Sequence, residues 1–366
     1  MKIPANKLAP IYEKHKDEYD KAALRVLSSG WYILGEEVIN FEKEFASYIG
    51  SDHCVGLNSG LDALILAIRA LGIGPGDEVI VQANTYIATV LAITWNGATP
   101  VFVEPDNCYG TDPAAIENAI TSRTKALLVV HLYGQPCDMN PILEISNRNN
   151  IPVIEDCAQS HGATYHGHQT GTFGTIGCFS FFPTKNLGGF GDGGAIVTDN
   201  MELAEKISTL RNYGSRMKYQ NEVTGVNSRL DEIQAALLRV KLTHLDELIS
   251  ERISIAQKYL ERIKNPTIQL PMVRDGVRHV WHLFTIQTRN RDQFQQYLKD
   301  KGISTKIHYP IPPHLSDAYH NLGYSKGSFP ITEEIADSIL SLPLYNGMTE
   351  EEIEYVIDTI NSFEEA

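Results

Sequence analysis

Cysteine is scarce in this 366-residue sequence, and its five copies are scattered. They stand at Cys54, Cys108, Cys137, Cys157 and Cys178, without a C-x-x-C pair. Such an odd, dispersed set does not fit a disulfide framework or a structural zinc site, so a reduced, cytoplasmic setting is expected. The N-terminus lacks the apolar segment of a secretory signal, and no run approaches the roughly 18 apolar residues of a membrane span.

Positive charge is also in short supply. Lys and Arg number 31 against 45 Asp and Glu, which gives a formal net charge of −14. This balance argues against broad contact with nucleic acid or acidic lipid, but it permits a small anionic ligand at a local site. The length predicts about two domains, and the apolar share of 43% is ordinary for a soluble globular protein.

The glycine motifs of nucleotide-binding proteins are missing. No Gly-rich loop ends in G-K-[ST], so there is no P-loop. The glycine-rich segment Gly72–Gly76 precedes a strand-like run, whereas a dinucleotide fingerprint follows a strand and opens a helix. A Rossmann-type nucleotide-sugar dehydrogenase or dehydratase is therefore disfavoured.

Short apolar segments alternate with amphipathic ones from about residue 16 to 240. Near-continuous apolarity is typical of strands covered on both faces. The predicted strands are Val79–Val81, Pro100–Val103, Ala126–Leu132, Pro152–Glu155, Cys178–Phe182 and Ala195–Thr198. The predicted helices include Leu61–Leu71, Ile87–Trp95, Pro113–Ile120 and Pro141–Asn147. This alternation predicts an α/β domain with a mostly parallel central sheet flanked by helices.

A second, smaller domain is predicted at the C-terminus. One long helix is expected from about Leu230 to Ile263, followed by a strand (His282–Gln287), a helix (Asp292–Lys301) and two terminal helices. We divide the chain into a large α/β domain with an N-terminal arm, residues 1–245, and a small α+β domain, residues 246–366. The first dozen residues and the acidic tail look disordered.

The segment from Asn58 to Asp62 follows a strand-like run and opens a helix. Ser59, with Asp62 three residues later, forms an N-capping box. Gly60 lets the backbone approach a ligand, and the free N–H groups of the helix start suit a phosphate. A capped helix without a ligand is the alternative.

Asp156 follows the buried strand Pro152–Glu155. Ligands of α/β sheets bind at this end of the strands. Asp156 could accept a hydrogen bond from a cationic ring nitrogen, and Gln159 could reach another edge of the same ligand. A turn-capping role for Asp156 is the alternative.

Lys185 comes directly after an apolar strand, among aromatic residues and ahead of Gly188 and Gly189. Desolvation lowers the pKa of a lysine and frees its amine as a nucleophile, as a Schiff base with an aldehyde cofactor requires. A surface-turn lysine is the alternative. A phosphate site, an acidic partner for a pyridinium nitrogen and a Schiff-base lysine together match the requirements of pyridoxal 5′-phosphate (PLP).

The stretches Glu155–Ala163, Ser180–Gly194 and Gly225–Ala236 resemble the sugar aminotransferase family DegT/DnrJ/EryC1/StrS, from about Trp31 to the C-terminus. The resemblance implies the PLP-dependent transferase fold type I, like that of aspartate aminotransferase, and a homodimer with shared active sites. In one branch of the family histidine replaces the lysine and the reaction is a dehydration, so Lys185 favours amino transfer.

The resemblance also assigns roles to individual residues. Lys185 matches the lysine that bonds covalently to the cofactor, and Asp156 matches the carboxylate on the pyridine nitrogen. The further cofactor contacts it implies are Gln159 at the ring hydroxyl, Ser59, Gly60 and Ser180 at the phosphate, Tyr86 stacked on the ring, and Asn227 reaching the phosphate from the partner subunit.

The stretch His308–His314, followed by Ala318-Tyr319, resembles enzymes that aminate C3 of a dTDP-3-keto-6-deoxyhexose with L-glutamate as donor. His308 and Tyr309 are then candidate substrate contacts, with a proline-rich structural loop as the alternative. Tyr213, Arg216 and Lys218 are candidates for the diphosphate, with a surface loop as the alternative. The product would be a dTDP-3-amino-3,6-dideoxyhexose for glycan or lipopolysaccharide biosynthesis.

Two other functions stay open at this point. One is amination at C4 of a related 4-keto-6-deoxysugar, and the other is a non-catalytic PLP-binding regulatory role. The sequence also leaves the gluco or galacto configuration of the hexose open. His161, His166 and His168 lack a fourth ligand nearby, so no metal site is expected, and His161 is placed beside the cofactor and substrate.

Overall fold

The computed structural model describes residues 1–217 and 219–364. The strands are β1 (His53–Leu57), β2 (Glu78–Gln82), β3 (Thr99–Val103), β4 (Thr124–Val130), β5 (Val153–Asp156), β6 (Thr164–Tyr165), β7 (His168–Gln169), β8 (Ile176–Ser180), β9 (Gly194–Thr198), β10 (Ser215–Met217), β11 (Gln220–Asn221), β12 (Val277–Arg278), β13 (Phe284–Gln287) and β14 (Ile339–Leu342).

The α-helices are α1 (Ala9–Lys14), α2 (Lys16–Ser29), α3 (Glu36–Ile49), α4 (Gly60–Ala70), α5 (Ile87–Trp95), α6 (Pro113–Ala119), α7 (Met139–Asn149), α8 (Met201–Leu210), α9 (Glu232–Thr243), α10 (Leu245–Arg262), α11 (Arg291–Asp300), α12 (Pro330–Ser338) and α13 (Glu350–Asn361). Short 3₁₀ helices span Leu132–Gly134, Pro313–Leu315 and Asp317–Leu322. In the part of the chain described, no helix combines the length and apolarity that crossing a membrane requires.

A seven-stranded sheet lies at the centre, in the order β1-β9-β8-β5-β4-β2-β3. Strands β3, β2, β4, β5 and β8 run parallel, and β9 is antiparallel to both of its neighbours. The predicted α/β architecture with a mostly parallel sheet is thus confirmed. All six predicted strands form, and their interior positions are almost completely buried, as the apolar pattern requires.

The sheet brings the predicted site residues to one edge. Asp156 is the last residue of β5 and Ser180 the last residue of the adjacent β8. Tyr86 follows β2 and precedes α5, and Gly60 opens α4 after β1. Because parallel strands end at the same edge, the carboxyl ends of these strands form one crevice.

The long helix expected over residues 230–263 is instead two helices. Helix α9 ends at Thr243 and α10 begins at Leu245, with His244 in non-helical geometry between them. The 3–4 spacing of apolar residues continues through the break, so periodicity alone could not reveal it. The break lies beside our proposed domain boundary at residue 245, and that division stays a prediction.

The small C-terminal part has its own apolar core, built from α10, α11, α13 and the antiparallel pair β13–β14. Ile3 belongs to this core and is fully buried. The expectation of a disordered N-terminus is therefore wrong at this position. A single apolar residue among exposed neighbours gives no periodic signal from which its burial could be predicted.

Candidate active site

Lys185 lies in the turn that follows β8. Its backbone N–H donates to the Phe182 carbonyl at 2.8 Å, and the Gly189 N–H donates to the Phe181 carbonyl at 2.8 Å. These backbone hydrogen bonds close the turn. Burial lowers the pKa of Lys185 to about 8, while the charge of Asp156 acts in the opposite direction. A substantial fraction of the amine is therefore neutral and nucleophilic near pH 8.

The carboxylate of Asp156 is buried and held from two sides. Thr89 Oγ1 donates to Oδ2 at 2.9 Å, and the backbone N–H of Ala158 donates to Oδ1 at 3.1 Å. Burial raises the pKa of Asp156, and these two hydrogen bonds and the charge of Lys185 oppose the rise. Asp156 thus caps the turn, which was the alternative interpretation of this residue. Its carboxylate also faces the crevice that contains Lys185.

The start of α4 presents polar groups to the same edge of the sheet. Ser59 Oγ accepts from Asp62 N–H at 3.1 Å, as the capping pattern predicted. The reciprocal half of the box does not form, because the Asp62 carboxylate instead accepts from Ser228 Oγ at 2.8 Å. A Cβ added at Gly60 would lie 2.5 Å from Ser180 Cβ, so only glycine lets β8 come this close to the helix start.

Gln159 and Tyr309, predicted separately, are brought together. Gln159 Nε2 donates to the Tyr309 hydroxyl at 3.1 Å, and Gln159 Oε1 accepts from Tyr133 N–H at 2.6 Å. The Tyr86 and Tyr309 rings lie 5.1 Å apart at 34°. Residues from the large sheet and from the C-terminal part therefore line one cluster.

His308 and His161 are both held neutral by burial. His308 Nδ1 is 2.8 Å from Ser341 Oγ, and its carbonyl accepts from the Tyr133 hydroxyl at 2.5 Å. Burial, followed by the charges of Lys185 and Lys306, lowers the pKa of His308 to about 4. Its ring is therefore uncharged at neutral pH.

His161 is fully buried against the rings of Phe179 and Phe181, and neither ring nitrogen makes a well-aligned hydrogen bond to the described residues, although the Ser180 backbone lies near enough to oppose the lowering of its pKa. Burial, followed by the charges of Lys185 and Lys241, lowers the pKa of His161 to about 3. Buried polar atoms without partners are rare, and they mark places where a ligand or an ordered water completes the site.

Two supporting residues escaped the sequence analysis. Thr89 and Tyr133 hold Asp156, Gln159 and His308 in place, but each is an ordinary residue in an apolar or aromatic context. The i, i+4 pair Thr85–Thr89, whose hydroxyls lie 2.9 Å apart, is the only sequence signal we can identify for either of them.

A second buried lysine competes with Lys185 as a candidate nucleophile. Burial and the charge of Arg252 lower the pKa of Lys241 to about 7, and its Nζ donates to the Gly188 carbonyl at 3.1 Å. Among the described groups no carboxylate is identified as acting on its pKa, whereas Lys185 faces Asp156. The nearby carboxylate of Asp156 therefore distinguishes Lys185 from Lys241 as the candidate nucleophile.

The structure leaves Tyr213, Arg216 and Asn227 outside this cluster. Arg216 pairs with Glu205 and Glu222 at 3.7 and 3.5 Å, and Tyr213 is exposed beneath the Arg229 guanidinium. Asn227 is exposed as well. Lys218 lies outside the described residues. The roles of these residues at the diphosphate and across a dimer interface stay predictions.

The donor set fits a phosphorylated aldehyde with a cationic ring. The helix start and Ser180 offer hydroxyl and N–H donors for a phosphate, Asp156 offers a buried anion, and Lys185 offers a desolvated amine.

A model of the DegT/DnrJ/EryC1/StrS aminotransferase family matches residues 13–361. The dTDP-3-amino-3,6-dideoxy-α-D-galactopyranose transaminase of Aneurinibacillus thermoaerophilus is 55% identical over 362 residues, 99% of both chains. The dTDP-3-amino-3,4,6-trideoxy-α-D-glucose transaminase of Streptomyces venezuelae is 50% identical over 366 residues, 100% of this chain and 97% of the relative.

Solved structures agree with these relatives. S. venezuelae DesV, in complex with a ketimine intermediate, superposes with a TM-score of 0.97 at 50% identity and covers 98% of each chain. NtdA of Bacillus subtilis, with bound cofactor PMP, gives a TM-score of 0.89 at 33% identity, over 95% of this chain and 81% of that one. The expected fold type I is thus confirmed over nearly the whole chain.

Proposed function

The chain belongs to the DegT/DnrJ/EryC1/StrS aminotransferase family, and from this membership we propose that it uses PLP to transfer the amino group of L-glutamate to C3 of a dTDP-3-keto-6-deoxyhexose in the cytoplasm. The product would be a dTDP-3-amino-3,6-dideoxyhexose for glycan biosynthesis. One observation carries the proposal: a desolvated amine, Lys185, shares a crevice at the sheet edge with a buried carboxylate, Asp156.

Asp156 and Lys185 have different roles: Asp156 holds a proton in place, and Lys185 transfers one. Bound PLP supplies an aldehyde that exchanges amino groups and a pyridinium ring that delocalises an electron pair. The Asp156 carboxylate keeps the proton on the ring nitrogen, and its hydrogen bonds from Thr89 and Ala158 favour the ionised form. The Lys185 amine would take a proton from the donor carbon that bears the amino group and would then give it to the cofactor carbon that carried the aldehyde, because its lowered pKa lets it act as base and then as acid.

The remaining cofactor contacts orient the ring and the phosphate. We assign Ser59, Gly60 and Ser180 to the phosphate, where the start of α4 favours an anion. We assign Tyr86 to the face of the ring and Gln159 to its hydroxyl. The exposed side chain of Asn227 is assigned to the phosphate of a partner subunit in a homodimer.

The sugar contacts are assigned to His308, Tyr309 and His161. His308 and His161 are neutral near pH 7, so their imidazoles offer hydrogen bonds without adding positive charge beside Lys185. Tyr213 and Arg216 are assigned to the diphosphate. The relatives at 55% and 50% identity carry galacto and gluco names but share a 3-amino group, which supports C3 and leaves the ring configuration to experiment.

Product analysis tests this proposal. Purified holoenzyme with L-glutamate is offered the dTDP-3-keto-6-deoxyhexose in gluco and galacto form, and separately the dTDP-4-keto-6-deoxyhexose, whose C4 carbonyl removes that distinction. The position of the new amine is read by NMR. We expect amination at C3 and none with Lys185→Ala. Amination only at C4 would establish the alternative 4-aminotransferase, and cofactor absorbance that never changes with glutamate would point to a regulatory PLP-binding protein.

A further inference from the structure

The first residues of the chain pair with one backbone segment of the C-terminal part. Ile3 pairs in parallel with Ile303: its N–H donates to the Gly302 carbonyl at 2.9 Å, and its carbonyl accepts from Ser304 N–H at 2.9 Å. Gly302 has φ of +82°, and a Cβ there would collide with the Met1 carbonyl. The N-terminus therefore lies in close backbone contact with this segment, and the Ile3 side chain fills the adjacent core.

The segment that Ile3 holds leads directly to the substrate candidates. Lys306 exchanges both backbone hydrogen bonds with Ser341 of β14, at 2.7 and 3.3 Å, and Ser341 Oγ contacts the His308 ring at 2.8 Å. Residues 303–309 thus lie between Ile3 on one side and β14 on the other. Ile303 precedes His308 and Tyr309 by only a few residues of chain, so a shift of Ile303 would displace both of them.

The other end of the N-terminal arm is attached to the large domain. Tyr19, Ala22 and Val26 of α2 pack with Ala236 and Leu237 of α9 in one apolar cluster. The arm therefore connects helices of the large domain to the segment that carries the substrate candidates. From Pro4 to Ala9 every residue except the partly buried Ala5 is exposed, so Ile3 is the anchor.

We propose that Ile3 is a positioning residue for the active site, because its pairing with Ile303 fixes the segment that presents His308 and Tyr309. The test of this inference by the KM for the keto sugar rests on the proposed function. Ile3→Ala removes most of the anchoring side chain, Ile3→Val retains a branched one, and Pro4→Ala changes the exposed neighbour as a matched control.

Hydrogen exchange and kinetics of the holoenzyme together test the inference. In Ile3→Ala we expect faster exchange in peptides covering 303–309, and a KM for the keto sugar raised roughly tenfold, since small misplacements of contact residues are costly. The glutamate half-reaction, followed by cofactor absorbance, should change by less than about twofold. Ile3→Val should change both readouts in the same direction but only slightly, and Pro4→Ala should match the wild type.

Unchanged exchange in 303–309, or an equal loss in both half-reactions, would overturn the inference and leave Ile3 with a general stabilising role. If Ile3→Ala does not fold, the smaller change in Ile3→Val decides by the same two readouts, with slightly faster exchange and a slightly raised KM expected. If wild type aminates no 3-keto sugar, the proposed function has failed, and the exchange comparison alone still decides whether Ile3 anchors the segment.

Discussion

At the scale of single residues, the chemistry depends on how a few buried groups hold their protons. The positions of Lys185 and Asp156 after strands were predictable, because each follows an apolar run in the sequence. Their surroundings were not predictable. The threonine that donates to Asp156 is 67 residues away in the chain, and the neutrality of His161 and His308 results from burial that no local pattern encodes.

Thr89→Val tests the support of the Asp156 carboxylate. The hydrogen bond from Thr89 stabilises the ionised form, so its loss raises the pKa of Asp156. Hydrogen bonds to charged groups contribute about 1.5–3 kcal/mol, which corresponds to roughly one to two pH units. The acid limb of the kcat/KM–pH profile should therefore move to higher pH.

Thr85→Val is the matched control, because Thr85 contacts the Thr89 hydroxyl and not the carboxylate. Its acid limb should move less than that of Thr89→Val. Identical profiles for Thr89→Val and wild type would show that this hydrogen bond does not govern the ionisation of Asp156.

At the scale of elements, apolar patterns located the strands and helices but missed features that depend on contacts between them. The break at His244 interrupts a helix whose apolar spacing is continuous. The half-formed capping box at Ser59 reflects Ser228, which is 166 residues from Asp62 in the chain and takes its carboxylate. Local sequence patterns predict where a helix forms, whereas contacts with distant residues determine where it ends and how it is capped.

Gly60→Ala tests the junction of α4 and β8. The new Cβ would lie 2.5 Å from Ser180 Cβ, so the helix start and the strand end must move apart. Because both groups are assigned to the phosphate, we expect the affinity for PLP to fall by roughly tenfold or more, as measured by titration of the apoenzyme.

Gly74→Ala is the control for this substitution. A Cβ at Gly74 would lie 3.5 Å from the Asn96 carbonyl, which is an ordinary contact. Its PLP affinity should equal that of wild type. Full affinity in Gly60→Ala would remove the phosphate role from this junction.

At the scale of the whole molecule, distant segments meet at one edge of the sheet. Gln159 and Tyr309 touch across 150 residues of chain, and Ile3 pairs with Ile303. In the sheet, β5 lies between β8 and β4. The spacing of residues in the sequence does not reveal this order. The family resemblance named Gln159 and Tyr309, which the structure brings together, and also Tyr213, Arg216 and Asn227, which lie outside the cluster.

Buried histidines make the stability of the fold sensitive to mild acid. Burial lowers the pKa of His161 and His279 to about 3 and of His308 to about 4, against 6.5 when exposed. Below pH 6.5 these histidines therefore bind protons in the unfolded chain but stay neutral in the folded chain. Their contribution to the free energy of unfolding is fully present above pH 6.5 and is lost as the pH falls. Each such histidine contributes a slope of at most about 1.4 kcal/mol per pH unit.

Urea unfolding of the holoenzyme between pH 7.5 and 5 measures this effect. The midpoint should fall as the pH is lowered below 6.5. His279→Gln should flatten the fall, whereas His168→Gln, at an exposed position, should not. A midpoint that does not change down to pH 5 would show that these histidines are protonated in the folded protein.

The central claim is that the amine of Lys185 bonds covalently to PLP. Borohydride reduction of the holoenzyme, followed by proteolysis and mass spectrometry, measures this bond directly. We predict a pyridoxyl label on the peptide that contains Lys185, and none on Lys241, the other buried lysine with a lowered pKa. A label on Lys241, or on no lysine, would contradict the account.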